Sequence, residues 1–589
     1  MEASTARAAP HAVAADSGAA AIVAALAEAG TRLVFGVPGG GPNLDVVGAA
    51  AAAGLRFVLA RGETAATIMA AACADLTGVA GAVVVTRGPG LASAVNGIAH
   101  AALDRLPVVV IADTVPAADA SRISHQRIDQ PALGRSVAKA AITVGGPRPG
   151  EAAARIVRTA LAPPPGPVIA TMDASAPGLP APDGTGPDGT APDGTGPDGT
   201  GPGSAVDDSG PQAASFLAGA LRAARRPVLL LGTGAIPRTA AVRAALAGRG
   251  LPVLHTYRAR GILPDAGADA AGLVTGGTME WPLLSAADLI LGLGVDEAEM
   301  IPARWDYPAR TILVTEPAAG PAAAGGSAYR GYFTGATALR MPLARALEVL
   351  ATGPGHDWPP GAGRAARADA AGRLVSAAVA SPGRLAPQQV VVTVRAGTPP
   401  ETIATVDAGA HMLVAMPLWE VPEPHRLLVS SGLATMGYAL PAAVAAALCA
   451  PRAPVVAFTG DGGLGMTLAE IETAVRLSLR IIVIVFNDAA LSLIKIKQRP
   501  AGHGGDEAVS YRPVSFAAAA AAMGAAGAEV TTERDLAAAL AAALRRPGPT
   551  VIDASVDPAG YPAIMDLSRG RAGRRSGPGI SRARQVRCP

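Results

Sequence analysis

Asp461 and Asp488 stand 27 residues apart, and each follows an apolar run: 455–458 leads into Thr459-Gly460-Asp461-Gly462-Gly463, and 481–486 leads into Asn487-Asp488. That spacing is about one strand–helix–strand crossover, which would bring both carboxylates to the carboxyl edge of a parallel sheet, where open α/β sheets place ligands. Two carboxylates and a main-chain carbonyl suit a hard cation such as Mg²⁺, which takes oxygen ligands in an octahedron and shares them with phosphates. Gly460, Gly462 and Gly463 let backbone approach a diphosphate, and the helix expected through Glu470 and Glu472 offers N–H groups at its positive end. Gly-Asp-Gly alone is usually a turn in a chain with 71 glycines, so the ordered surroundings carry this reading. Far upstream, Glu63 follows the apolar run 57–60 and opens an alanine-rich helical segment. Glutamate in a first helical turn is commonplace, because the helix dipole favours it.

Positioning these groups takes several folded units. At 589 residues the chain has room for three or four domains, each with its own core. From about 17 to 175, helix-period alanine segments alternate with short β runs at 33–37, 57–60, 82–86 and 108–112, which predicts a parallel sheet covered by helices. Residues 176–210 are nearly all Pro, Asp, Gly, Thr and Ala, with PDGT four times over, and read as a linker with no apolar face to bury. A second α/β unit is expected over 211–350, with strands at 227–231 and 289–293. A connector at 351–386, rich in Pro, Gly, Ala and charge, precedes a third unit at 387–560. The expected fold is α/β, with three doubly wound parallel-sheet domains.

Half of the residues are apolar but only 3% are aromatic, and the net charge is +3, a composition that points to a soluble enzyme. The basic tail, 566–589, holds seven arginines and reads as a solvated extension, since no aromatic residues interleave with them as nucleic-acid binding would want. Residues 427–451 carry no charge, but Ser, Thr, Gly and Pro interrupt them, which suits a buried turn and helix better than a membrane span. Cys73, Cys449 and Cys588 show no paired spacing, which argues against a disulfide framework or a zinc site. With no signal peptide evident, the cytoplasm is the expected compartment.

The third-unit order of strand, Gly-Asp-Gly, helix, strand and Asn-Asp is similar to the signature of thiamine diphosphate (ThDP) enzymes, in which the second member of an Asn-Asn pair ligates the metal. Arg61-Gly62-Glu63-Thr64-Ala65-Ala66 resembles that family's first-domain glutamate motif. Val34 through Gly40 looks like its opening glycine turn, and Thr86-Arg87-Gly88-Pro89-Gly90 like its next loop. Gly432 through Gly437 is similar to the segment whose methionine wedges beneath the thiazolium, and Asp407-Ala408-Gly409-Ala410-His411 to the loop before it. Over about 17 to 560 the chain resembles the acetolactate synthase large subunit, with pyrimidine-binding, central and diphosphate-binding domains in that order.

The resemblance implies that Glu63, Gln126 and Gly40 serve catalysis, with Glu63 hydrogen-bonded to the cofactor's aminopyrimidine. Gly409, His411, Ala434, Met436, Gly460, Asp461, Gly462, Gly463 and Asn487 would bind the cofactor, and Asp461, Asp488 and the Ala490 carbonyl the metal. Asn487 as metal ligand is the alternative. A site shared between two subunits is also implied, hence a homodimer or homotetramer acting on a 2-oxo acid, with no nucleic acid or membrane partner. Acetolactate synthases carry a Trp where this chain has Lys497, and an Arg-Phe-Asp-Asp-Arg stretch where it has Gly292 through Glu297. These departures leave the acetolactate product and a bound FAD open. Decarboxylation with carboligation, pyruvate being the default donor, is the leading expectation. A non-ligating decarboxylase, a flavin-linked oxidase and a silent partner subunit are the rivals.

Overall fold

The computed structural model of the chain describes residues 17–116, 119–173, 211–301, 303–316, 331–498 and 505–570. The linker, most of the basic tail and Cys588 lie outside the described residues. The described strands form three six-stranded sheets in which every neighbouring pair is parallel.

The first sheet comprises β1 (Leu33–Val37), β2 (Arg56–Leu59), β3 (Gly81–Val85), β4 (Val108–Asp113), β5 (Ala140–Val144) and β6 (Val168–Met172) in the order β2-β1-β3-β4-β6-β5. In the second, β7 (Pro227–Leu231), β8 (Val253–His255), β9 (Ala270–Leu273), β10 (Leu289–Leu293), β11 (Arg310–Thr315) and β12 (Thr337–Arg340) run β12-β11-β10-β7-β8-β9. The third holds β13 (Ile403–Val406), β14 (Leu427–Val429), β15 (Val455–Gly460), β16 (Ile481–Asn487), β17 (Ala526–Val530) and β18 (Thr550–Ser555) as β14-β13-β15-β16-β18-β17. The outer two sheets thus repeat one winding, and the middle sheet has another. Central strands such as Val-Val-Val-Ile-Ala-Asp at β4 are buried along their whole length, as expected where helices cover both faces.

Alanine sets how closely the outer units meet. The Glu63–Thr77 helix buries Ala65 through Ala74, and the Ala439–Cys449 helix buries Ala439 through Ala447. Both belong to one apolar cluster that runs from the first sheet to the third. The first helix stops at Gly78, whose φ of 71° is left-handed and free of steric cost only for glycine. The charge-free stretch 427–451 is the short strand β14, a turn and the buried Ala439–Cys449 helix. No helix among the described residues is long and apolar enough to cross a membrane. The expected connector at 351–386 contains a 15-residue helix, Ala362–Ser376, because its alanines outweigh its glycines.

Candidate functional site

β15 and β16 are neighbours in register, Gly460 beside Phe486, so Asp461 and Asp488 leave the same edge of the third sheet. Asp461 opens the short Asp461–Thr467 helix; its Oδ1 accepts from Gly462 N at 2.6 Å and its Oδ2 from Ala490 N at 3.2 Å. Asp488 Oδ2 accepts from the Ser492 hydroxyl at 2.5 Å, and the turn is made by Ala489 at a φ of 57°. Burial holds the Asp461 carboxyl above its ordinary range. Burial, and then the Asp461 charge, push Asp488 up to about 7. Two desolvated carboxylates facing each other are what a divalent cation relieves. No cluster of three or more His, Cys, Asp or Glu suited to a metal occurs among the described residues, so two carboxylates plus backbone oxygen is the donor set that this edge offers.

A cavity of about 780 Å³ opens above these acids, lined by Gly409, His411, Ala434, Met436, Gly460 to Gly463, Asp488 and Ala490. That volume suits a cofactor with a small substrate. His411 is buried against Phe486, ring centroids 5.3 Å apart, and burial lowers its pKa to about 4, so its imidazole is neutral at pH 7. Its Nε2 is buried without a hydrogen-bond partner, an orphan on the wall of the cavity that a phosphorylated ligand would satisfy. Behind it, Asp407 at the end of β13 accepts from Gly437 N, Tyr438 N and the Thr459 hydroxyl at 2.9 to 3.1 Å, and burial raises it to about 6. A β-carbon on Gly463 would sit 2.2 Å from Asp407 Oδ2, so that position is glycine by necessity. The residues present fit a diphosphate and its cation.

The segment carrying Ala434 and Met436 is held from the first unit of the same chain. Asp104, buried after the Pro89–Leu103 helix, accepts from Ser431 N at 3.1 Å and Gly432 N at 2.6 Å. His100 Nδ1 lies 3.0 Å from Ser430 Oγ, and the Thr435 hydroxyl donates to Asn96 Oδ1 at 2.7 Å. From the middle unit, Arg258 donates to Asp75 Oδ1 at 2.9 Å and lies within the field of Asp104. Asp104 and His100 escaped sequence reading, and so did the bracing role of Asp407, because their partners are remote or backbone.

Glu63, Gln126 and Gly40 do not line this cavity. They gather instead on loops at the carboxyl ends of the first sheet: Gly40 after β1, Glu63 after β2 and Gln126 after β4. A β-carbon on Gly90 would lie 3.4 Å from Glu63 Oε1, and one on Gly88 would strike the Gln126 carbonyl, so the three loops after β2, β3 and β4 interlock. Glu470 of the third unit, buried and raised in pKa by that burial, accepts from Arg61 N at 2.9 Å and Gly62 N at 3.2 Å, fixing the turn that launches Glu63. Asn487, expected among the cofactor-binding residues, does not line the cavity: its amide donates to Val514 O and Asp553 Oδ1, both at 2.9 Å. Lys495 pairs with Asp506 at 3.1 Å, whereas Lys497 lines the cavity.

Paired outer sheets of one winding, a cavity with two buried carboxylates and an orphaned imidazole on one, and a glutamate loop on the other suit a thiamine diphosphate-binding enzyme. Family models for thiamine pyrophosphate enzymes match in three places: the N-terminal TPP binding domain at 16–133, the central domain at 214–316 and the C-terminal TPP binding domain at 407–554. The catabolic acetolactate synthase of Raoultella terrigena is 31% identical, over 93% of this chain and 96% of that protein. The acetolactate synthase of Bacillus subtilis (strain 168) is 29% identical, over 92% and 93%. A solved thiamine diphosphate-dependent 4-hydroxybenzoylformate decarboxylase from Rhodococcus jostii RHA1 shares the fold, with a TM-score of 0.72 at 22% identity, over 92% of this chain and 99% of that one. The chain belongs to the acetolactate synthase-like family of thiamine diphosphate-dependent carboligases and decarboxylases.

Proposed function

We propose that the protein decarboxylates a 2-oxo acid, pyruvate by default, and joins the resulting two-carbon unit to an acceptor, using thiamine diphosphate and Mg²⁺. The observation that carries this reading is the convergence of Asp461, Asp488 and the orphaned His411 Nε2 in one cavity. Asp461, Asp488 and the Ala490 carbonyl would hold the cation, and Gly409, His411 and the Gly460–Gly463 turn the diphosphate. Met436 and Ala434 would support the ring end, the adaptable thioether forcing a bent shape. When bound, the cofactor supplies a nucleophilic carbanion and an electron sink for the pair left on carbon as the carboxylate departs as carbon dioxide. Glu63 would hold a proton at the aminopyrimidine N1′, with Gln126 and Gly40 beside the reacting carbon.

Because Glu63 lies outside its own chain's cavity, the working form is a homodimer, or a tetramer of such dimers, in which the first unit of one copy faces the third unit of the other. Exposed apolar residues beside these loops support that docking: Leu44 near Gly40 is 57% exposed and Met466 near Asp461 is 60% exposed. The cytoplasm is the compartment proposed.

The test is to supply purified protein with thiamine diphosphate, Mg²⁺ and a panel of 2-oxo acids, and to identify products by mass spectrometry. A 2-hydroxy-2-methyl-3-oxo acid from pyruvate supports carboligation, and free aldehyde alone would reassign the enzyme as a simple decarboxylase. Glu63→Gln should keep cofactor affinity within about threefold while turnover falls on the order of 100-fold or more. Unchanged turnover would remove Glu63 from its assigned role.

A further inference from the structure

Cys73 and Cys449 are 376 residues apart in sequence, yet their Sγ atoms lie 3.2 Å from each other. Both are free thiols. Cys73 faces inward from the Glu63–Thr77 helix and is 7% exposed, while Cys449 ends the Ala439–Cys449 helix and is half-buried. The two helices are those whose alanines join the first unit to the third, and neither sulfur lines the cofactor cavity. The chemistry proposed above therefore uses neither thiol. Spacing alone had argued against a cysteine pair, and the fold supplies one.

We propose that Cys73 and Cys449 form a modification site that takes a two-electron oxidant of the hydroperoxide class and closes to a disulfide between the first and third units. The Sγ atoms are within about 1 Å of bonding distance, so side-chain rotation brings them together. The S–H of Cys449 donates to Cys73, which holds the Cys73 thiol below its ordinary pKa and the Cys449 thiol above it. Cys73 is therefore the sulfur that ionises first, and Cys449, which keeps its proton, the one that solvent reaches. The Cys73 thiolate attacks one peroxide oxygen, the O–O bond breaks, and alkoxide or hydroxide leaves. The Cys449 thiol then attacks the Cys73 sulfenic acid, the S–O bond breaks, and water leaves with the Cys449 proton. Two thiols lose two electrons, and the hydroperoxide is reduced to an alcohol or to water.

The full-length protein with Cys588→Ser, so that only this pair can react, is treated with hydrogen peroxide, blocked with N-ethylmaleimide and weighed intact without reductant. A loss of about 2 Da with no maleimide added, a Cys73–Cys449 cross-linked peptide on digestion, and reversal by dithiothreitol are expected. Two maleimides on each chain after peroxide, or separate sulfinic acids on the two residues, would overturn the proposal. In the Cys449→Ser variant, a Cys73 sulfenic acid trapped by dimedone is expected; oxidation confined to Cys449 in the Cys73→Ser variant would overturn the order of attack.

Discussion

At the level of single residues, the proton that burial keeps on Asp488, beside Asp461, is the most consequential feature. Asp488 is pushed up to about 7 by burial and by the Asp461 charge. The folded, metal-free chain thus keeps a proton that the unfolded chain releases in the ordinary carboxylate range. Its contribution to stability is full below that range and is lost as pH rises through about 7. A cation between Asp461 and Asp488 reverses the preference, since it needs both groups ionised. Binding of Mg²⁺ with thiamine diphosphate should therefore release about one proton at pH 6 and almost none at pH 8.5. Calorimetry in buffers of different ionisation enthalpy measures that number directly, and an identical apparent enthalpy in all buffers at pH 6 would sink the assignment. Asp488→Asn keeps an oxygen donor but carries no titrating proton. It should bind the cofactor and cation within about tenfold of the parent while losing most of the release.

Among the elements, the loop that bears Ala434 and Met436 depends on a helix of another unit. Asp104 satisfies two backbone N–H groups of that loop at 3.1 and 2.6 Å. Asp104→Ala leaves both half-buried donors unpaired, which costs about 2 kcal/mol of stability. The loosened loop should bind cofactor on the order of 10-fold more weakly, with Asp104→Asn intermediate because one oxygen remains to accept. Thermal melting and cofactor titration together check this, and an Asp104→Ala protein with parental affinity would show that the loop holds itself. The same dependence explains what could be read beforehand. The placement of Asp461, Asp488 and Gly463 at one sheet edge was legible because the strand, turn and helix that present them are contiguous, and a parallel sheet opens its ligand edge at strand ends. Asp104 and Glu470 were not, since an aspartate after a helix or a glutamate within one has no local mark of a backbone partner more than 300 residues away. The orientation of the Asn487 side chain was not legible for a related reason: adjacency to Asp488 does not say which way a strand-end side chain points, and the neighbouring strand β18 offers Asp553 as its partner.

For the molecule as a whole, one chain carries two groups of candidate residues that do not share a cavity. The cavity with Asp461 and Asp488 contains none of Glu63, Gln126 and Gly40, although Glu470 ties the two halves together from behind. If a second copy supplies the missing half, each dimer holds two composite sites and every chain contributes one half to each. Glu63→Gln and Asp461→Ala should then be inactive separately, because each spoils both sites of its own homodimer. Exchange of subunits between them creates a mixed dimer with one doubly damaged site and one intact site. Random pairing makes half of the dimers mixed, so activity should recover to about one quarter of the parental value. Differently tagged copies, isolated by two affinity steps, give the mixed dimer itself, which should show about half of the parental turnover. Mixed dimers proven by tag and yet inactive would mean that Glu63 and Asp461 serve the same site from the same chain, and the unit that carries Glu63 would then have to swing across to its own cavity.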